Sequence, residues 1–480
     1  MRLETLYLQN FRGYAERTFS LHPQFNLVIG ENGAGKTSFL EAAAIAIGSW
    51  LLGFPGHDSR NILERDVRRV LESVENRYRE LPQYPVRVRA TGRLHIARAG
   101  RVAEGGEIAY FGQSPKGKPH PYLLDVTWER AIEAAGGKTN RRGAARLKHF
   151  AGEMARAVLM EQPRILPLIR YFGAGRLWES VRDTQGKALS KHKGQQPAEL
   201  AENADELDRV FHEAAKLAEP FYGYRMSVDK RCNPDDLLRW MGAERHNELD
   251  EETPSTALRL VYQAIETMLP EIASARYSVK LRTLVLKYQN GEQHTFAELS
   301  DGYRNVVAIA ADLAIKAAML NPQLAEKALE MTPGVVLIDE LDLHLHPKWQ
   351  RRVITDLRRT FPMLQFICTT HSPFLIQSLR SGEELIMLDA GQPTANLAHM
   401  PVEEIAQGIM GVSNTEVSQE YESMKQVAKH YLETLEEAAM APADKQAEYQ
   451  RRLAEAIAPY AHNPAYQAFL EMKRVAKLGA

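Results

Sequence analysis

The sequence predicts an α/β fold: a mixed sheet flanked by helices, with a helical insertion and a helical C-terminal region. Three observations carry this expectation. The apolar run Phe25, Leu27, Val28, Ile29 stops at Gly30, and a glycine-rich turn then opens an apolar helix. A second apolar run, Val335 to Ile338, ends on the adjacent carboxylates Asp339 and Glu340. A helix opens at Gly302, and a further strand runs into Thr369-Thr370-His371, so strands and helices alternate as in an open sheet.

Taken in order, residues 2 to 9 and 25 to 29 read as strands, and the helix from Lys36 to Ser49 is alanine-rich and apolar nearly all round, which suits burial. A polar helix is expected near 60 to 80, followed by antiparallel strands at 85 to 97 and 122 to 130. A helix at 143 to 160 leads into the strand Ile165 to Ile169 and the glycine turn after Tyr171-Phe172. From 180 to 270 the chain turns polar, with Pro197, Pro220, Pro234 and Pro254 separating short helices. No heptad survives there, which argues against a coiled-coil arm. Strands return at 276 to 289. The stretch from Pro401 reads as helices broken by Pro442, Pro459 and Pro464. The expected divisions are an N-lobe at 1–178, a helical insertion at 179–274, a C-lobe at 275–400 and a helical region at 401–480.

Composition narrows the class. The chain has 480 residues, 44% hydrophobic and 25% charged, as expected of a globular protein of two or three packed units. No apolar run approaches the ~18 residues of a membrane span, and the N-terminus lacks the pattern of a secretory signal, so a cytoplasmic protein without a membrane partner is expected. The two cysteines, Cys232 and Cys368, lack metal spacing and read as buried thiols. With a net charge of −1, any nucleic-acid contact must come from local patches. Two are visible: Arg141, Arg142, Arg146 and Lys148, and Lys187, Lys191, His192 and Lys193. A solvated surface is the plainer reading of both.

The chemistry concentrates at Gly30-Glu31-Asn32-Gly33-Ala34-Gly35-Lys36-Thr37, a complete G-x-x-x-x-G-K-[ST] between a strand and a helix. Its glycines let the backbone curl so that N–H groups from Asn32, Gly33, Ala34, Gly35, Lys36, Thr37 and Ser38 face phosphate oxygens, with the helix N-terminus aimed at the same anion. ATP and Mg²⁺ are the expected ligands. Lys36 supplies a charge for the β and γ phosphates, and Thr37 a hydroxyl for the metal. Asp339 is the second metal residue, acting mostly through water, and Glu340 is the general base that orients and deprotonates the attacking water. The implied reaction is ATP plus water to ADP plus phosphate. His344 and His346 lack a third ligand and make a poor metal site.

Further segments carry a resemblance. Leu299-Ser300-Asp301-Gly302-Tyr303-Arg304 resembles the signature loop of ABC-type ATPases. Thr369-Thr370-His371-Ser372-Pro373 is similar to their switch histidine, and Leu341 to Pro347 stands at the place of their D-loop. Asn10-Phe11-Arg12-Gly13 resembles the entry motif of RecF and SMC proteins. The resemblance implies an ABC-type P-loop ATPase head in which Ser300 and Gly302 meet the γ-phosphate held by another copy. A complete site then requires a homodimer, and larger assemblies stay open. It also implies that His371 contacts that phosphate and that Arg12 lies beside the nucleotide. The Q-loop glutamine cannot be placed, since Arg176 stands at that stage of the chain; it either reaches phosphate or braces the lobe.

A narrower resemblance, to the PtuA ATPases of Septu antiphage systems that also accompany some retrons, rests on three segments. They are Tyr171-Phe172-Gly173-Ala174-Gly175-Arg176-Leu177-Trp178, the insert around Trp240, and the ending Asn463 to Arg474. It implies an HNH nuclease partner, PtuB, and in retron versions a reverse transcriptase with its DNA-RNA hybrid. The roughly 80 residues after 400 are too few for a TOPRIM-like nuclease domain, so any DNA cutting is expected to come from a partner. The tail residues Tyr449, Leu453, Ile457, Tyr460, Phe469 and Met472 recur at near-helical spacing and could dock a partner or pack a core. A RecF-like DNA-repair ATPase is the competing expectation, and a transporter motor the weakest.

Overall fold

The computed structural model describes residues 1–54, 56–57, 59–74, 77–95, 98–102, 108–111, 123–177 and 221–389, and, toward the C-terminus, 397, 400–410, 427–436 and scattered positions to 475. The expected patch at 187–193, Trp178, the whole of 179–220 and most of the C-terminal tail lie outside the described residues. The chain divides into two compact units, Met1–Ile405 and Ala406–Ala480. In the second, residues 427–436 are helical.

The strands are β1 (Arg2–Phe11), β2 (Tyr14–Ser20), β3 (Phe25–Ile29), β4 (Arg69–Val74), β5 (Arg77–Pro82), β6 (Val86–His95), β7 (Arg98–Val102), β8 (Ile108–Phe111), β9 (Leu123–Ile132), β10 (Leu168–Phe172), β11 (Ile272–Ser278), β12 (Thr283–Tyr288), β13 (Gln293–Thr295), β14 (Gly334–Ile338), β15 (Leu364–Thr369) and β16 (Leu385–Met387). The principal helices are α1 (Lys36–Gly48), α2 (Ala145–Leu159), α3 (Pro234–Asp250), α4 (Thr256–Met268), α5 (Asp301–Leu320) and α6 (Val353–Thr360).

Five strands form a sheet in the order β10-β14-β15-β3-β16, with every neighbouring pair parallel. β3, β10, β14 and β15 are buried along their whole length, which is why they read as mainly apolar runs, with Asn26, Arg170 and Gln365 among the buried polar exceptions. A second, antiparallel sheet runs β2-β1-β6-β9. The two are tied where Leu3 N–H donates to Gln365 Oε1 at 2.7 Å and Gln365 Nε2 returns a bond to Leu3 O at 2.8 Å.

α1 lies between these sheets, touching β10, β14 and β15 on one side and β1, β6 and β9 on the other. That explains a helix apolar all round: every residue from Phe39 to Gly48 is buried. Trp128 of β9 fixes it by donating Nε1–H to Ala46 O at 2.9 Å. The one carboxylate inside, Glu41, is 1% exposed and pairs with Arg60 and Lys230.

The edge of the parallel sheet at β10 is covered by backbone, with Tyr171 N–H bonded to Ser227 O at 2.9 Å and Gly173 N–H to Lys230 O at 2.8 Å. Buried Arg170 seals this cover, reaching Asp312 at 2.8 Å, Met226 O and Asp229 O at 2.6 Å, and Arg231 O at 2.6 Å. Next to it the buried amine of Lys316 donates to Arg225 O at 2.6 Å, and burial lowers its pKa to about 8.

One element differs in kind from its expectation. Residues 60 to 80 are no polar helix: β4 and β5 pair antiparallel, with Val70 opposite Leu81 and Ser73 opposite Tyr78. Charged residues of high helix propensity dominate this stretch, but pairing with a partner strand overrides that preference, and Arg69 reaches across it to Glu80 at 3.1 Å. β2, which the sequence reading did not mark, returns directly from the Gly13 turn to pair with β1. Both cysteines are free and buried.

Candidate active site

The glycine-rich segment leaves β3 and enters α1 as expected, and its geometry explains its composition. Gly33 and Gly35 sit at φ 92° and 99°, in the left-handed region that side chains rarely adopt. A Cβ on Gly35 would also stand 2.9 Å from the Tyr14 hydroxyl. Asn32, Gly33 and Thr37 are exposed, and Ala34, Lys36 and Ser38 half-buried, so the loop opens to solvent. Lys36 Nζ reaches Gly30 O at 2.7 Å and Glu31 O at 2.9 Å, which lays the ammonium along the loop. Desolvation lowers its pKa, opposed by Asp389 first and then Asp339 and Glu340.

The paired carboxylates arrive on β14, two strands away from β3, with β15 between them. Across that gap Thr37 Oγ1 donates to Asp339 Oδ2 at 3.2 Å, joining residues 302 positions apart in sequence. Thr369, at the end of β15, organises the pair: its hydroxyl donates to Asp339 Oδ1 at 2.6 Å and accepts from Glu340 N–H at 2.8 Å. Glu340 follows at φ 51°, a strained backbone for a non-glycine residue. His371 is exposed just past the same strand. Thr370 donates to Asp342 Oδ1 at 2.6 Å, which steadies the 341–346 loop. His346 caps the short helix Pro347–Gln350, accepting from Lys348 N–H at 3.3 Å.

The structure thus joins the loop, Thr37, Asp339 and Glu340 at one end of the parallel sheet, where open α/β sheets bind ligands. The fit to a magnesium nucleotide rests on chemistry present here. A curl of backbone amides with an ammonium suits phosphate, and a hydroxyl facing a carboxylate suits a hard cation that keeps most of its waters.

Three expected residues stand apart from the glycine-rich loop of this chain in the contacts they make. Arg12 is held by buried Asp66, with Nε–Oδ1 at 2.8 Å and Nη2–Oδ1 at 2.6 Å. Ser300 and Gly302 open α5, where the Ser300 hydroxyl is exposed and makes no capping bond. Gly302 packs so tightly that a Cβ would stand 2.5 Å from His344 O. Among the described residues no hydrogen bond or ion pair links Ser300 or Gly302 to the glycine-rich loop of this chain.

Arg176 answers one open alternative. Its guanidinium is 2% exposed and donates to Asn305 Oδ1 at 2.5 Å, Gly173 O at 2.9 Å, Asp339 O at 2.8 Å and Glu340 O at 3.2 Å. It braces the backbone of the carboxylate pair; burial brings its pKa down to about 10.

Sequence reasoning missed four participants. Tyr14 donates its hydroxyl to Gly35 O at 3.1 Å, and its place directly after Asn10-Phe11-Arg12-Gly13 was the available signal. Thr369 was inside a quoted motif but had no role. Asp66 and Asp389 had no signal, although Asp389 Oδ2 accepts Glu31 N–H at 2.7 Å and shapes the start of the loop.

Family models match the stretches of chain that carry these residues. The profile of an AAA domain matches residues 5–268, and that of an AAA domain described as a putative AbiEii toxin of a type IV toxin–antitoxin system matches 247–377. The chain is 35% identical over 138 residues to a retron Vc95 probable ATPase of Vibrio cholerae serotype O1 biovar El Tor, covering 29% of this chain and 26% of that protein. It is 32% identical over 173 residues to a Septu protein PtuA of Bacillus thuringiensis, covering 33% of this chain and 43% of the relative. The matches therefore span less than half the length of these relatives. Among solved structures, an SMC head bound to the C-winged helix domain of ScpA aligns with TM-score 0.41 and 16% identity, over 81% of this chain and 94% of that one. The chain belongs to the AAA-domain family.

Proposed function

We propose that this chain binds ATP with Mg²⁺ and hydrolyses it at a site completed by a second copy, as the ATPase of an antiphage defence complex that controls a partner nuclease. The observation that carries the chemistry is the Thr37–Asp339 contact of 3.2 Å, with Glu340 one residue on. Bound Mg²⁺ supplies charge neutralisation on the phosphates. Thr37 and Asp339 hold the metal, the latter mostly through water. Amides of Asn32 to Ser38 and the Lys36 ammonium hold the phosphate oxygens. Glu340 orients water and takes its proton. The exposed Ser300 hydroxyl, uncommitted to its own helix, supports a role against the γ-phosphate of a neighbouring copy, with His371 at the same phosphate and Arg12 in the adjoining wall.

The defence role is supported by relatives named as Septu and retron ATPases. An HNH nuclease such as PtuB is the proposed partner. For nucleic acid, DNA or a retron DNA-RNA hybrid, the supporting surface is Arg141, Arg142, Arg146 and Lys148, all exposed and without an ion pair among the described residues. Nearby carboxylates are already taken, as in Arg89–Glu129 at 2.8 Å and Arg87–Glu133 at 3.6 Å. No helix among the described residues is long and apolar enough to cross a membrane.

Phosphate release by the purified chain, beside Glu340→Gln, tests the core of this reading. Glu340→Gln is expected to lower turnover by about 10²-fold or more while nucleotide still binds. Full turnover in that variant would overturn the assignment of the base.

A further inference from the structure

We infer that Arg176 is a positioning residue for Glu340, and that through Asn305 it makes the placement of this base depend on the seating of α5. This rests on the proposed role of Glu340 and goes beyond it, since Arg176 touches neither the glycine-rich loop nor an exposed surface.

The argument begins with the acceptors. Every oxygen that Arg176 binds is neutral: the carbonyls of Gly173, Asp339 and Glu340 and the amide of Asn305. A guanidinium 2% exposed and without a carboxylate partner is a costly way to hold a turn together. What it supplies is a rigid planar fork spanning four acceptors, which a lysine ammonium cannot reproduce. Two of those acceptors belong to the peptides on either side of the Glu340 nitrogen and carbonyl carbon.

Glu340 needs that support. Its φ of 51° is held from one side by Thr369 Oγ1 on its N–H and from the other by Arg176 and Leu343 N–H on its carbonyl. A turn of about 1 Å in this backbone would swing the carboxylate by more than a catalytic base tolerates.

The far end of the fork is in α5. Asn305 is 2% exposed and bridges outward as well, donating Nδ2–H to Leu343 O at 3.2 Å. One turn earlier, Gly302 rests on His344 O, and Tyr303 meets Trp349 edge-on at 4.1 Å between ring centres. The first two turns of α5 therefore sit on the loop that follows Glu340, and Arg176 closes the circuit through Asn305. A shift of α5 along its axis must break either the Asn305–Arg176 bond or the bond from Arg176 to Glu340.

Steady-state kinetics, nucleotide affinity and melting are to be measured on Arg176→Lys, Asn305→Leu and Asn305→Asp beside Glu340→Gln. Asn305→Leu leaves the three carbonyl bonds of Arg176 and removes its link to α5 together with the Asn305–Leu343 bond, which Asn305→Asp lacks as well. Arg176→Lys and Asn305→Leu are expected to lower kcat about tenfold or more, with KM and nucleotide affinity within about threefold of the parent. Asn305→Asp keeps an acceptor for Nε and is expected to recover most of the loss. Unchanged kcat in folded Asn305→Leu, or an equal loss in Asn305→Asp, overturns the inference. Should Arg176→Lys fail to fold, Asn305→Leu decides alone. Active Glu340→Gln would instead bring down the assignment of the base, whatever the other variants do.

Discussion

Lys36 and Lys316 are both lysines in polar company, and the structure gives them opposite tasks. Lys36 lies along an open loop beside Asp389, Asp339 and Glu340, ready to trade carbonyl partners for phosphate oxygens. Lys36→Ala is expected to weaken nucleotide binding by at least about 10²-fold in a fluorescent-nucleotide titration, with melting little changed. Normal affinity would remove the phosphate role. Lys316 is fully enclosed, and its value falls from near 10.5 to about 8 chiefly because burial strips its water. Between those values the unfolded chain holds a proton that the folded chain has released, so stability rises with pH across that window. Below about pH 8 the folded amine carries its charge and the full cost is present. Lys316→Met lacks this dependence. The stability gap between Lys316→Met and the parent in urea unfolding should therefore change from pH 7 to 10, and a constant gap would contradict the buried-amine account.

α1 shows how an element can be specified by its surroundings on both sides. Its apolar circumference is legible in the sequence because a helix enclosed between two sheets has no solvent face to mark. The exception, Glu41, was not legible as a charged centre, since Lys230 is brought in by the cover over β10 and Arg60 by the segment that follows α1. Glu41→Gln leaves two cations without their carboxylate and is expected to cost about 3–5 kcal/mol, read as a lowered melting temperature. The same reasoning separates β4–β5 from its expected helix. Arg and Glu suit either structure, and pairing with a partner strand, which no local pattern announces, made the choice.

For the molecule as an assembly, one chain carries one glycine-rich loop and one exposed α5 N-terminus. Ser300→Arg is expected to abolish turnover while leaving nucleotide binding to the isolated chain intact. Mixing Ser300→Arg with Lys36→Ala gives mixed dimers with one site built from unaltered parts. Such a mixture should recover up to about a quarter of parental turnover, because about half the dimers are mixed and each has one good site. Two inactive variants that stay inactive when mixed, under conditions where they exchange, would count against a shared site.

The contiguous pattern from Gly30 to Thr37 declared its own conformation, because the left-handed glycines and the helix start are consequences of residues adjacent in the chain. The apolar strand ending in Asp339-Glu340 did the same for the carboxylates, through burial on both faces of a parallel sheet. Folding alone brought Thr37 to Asp339, set Thr369 between the Asp339 carboxylate and the Glu340 N–H, gave Arg12 to Asp66, and committed Arg176 to the Glu340 backbone. These contacts join residues from 29 to 302 positions apart, fixed by which strands became neighbours and in what register. A local stretch of chain carries its own backbone preferences, but it holds no record of the partner that a distant strand will set beside it.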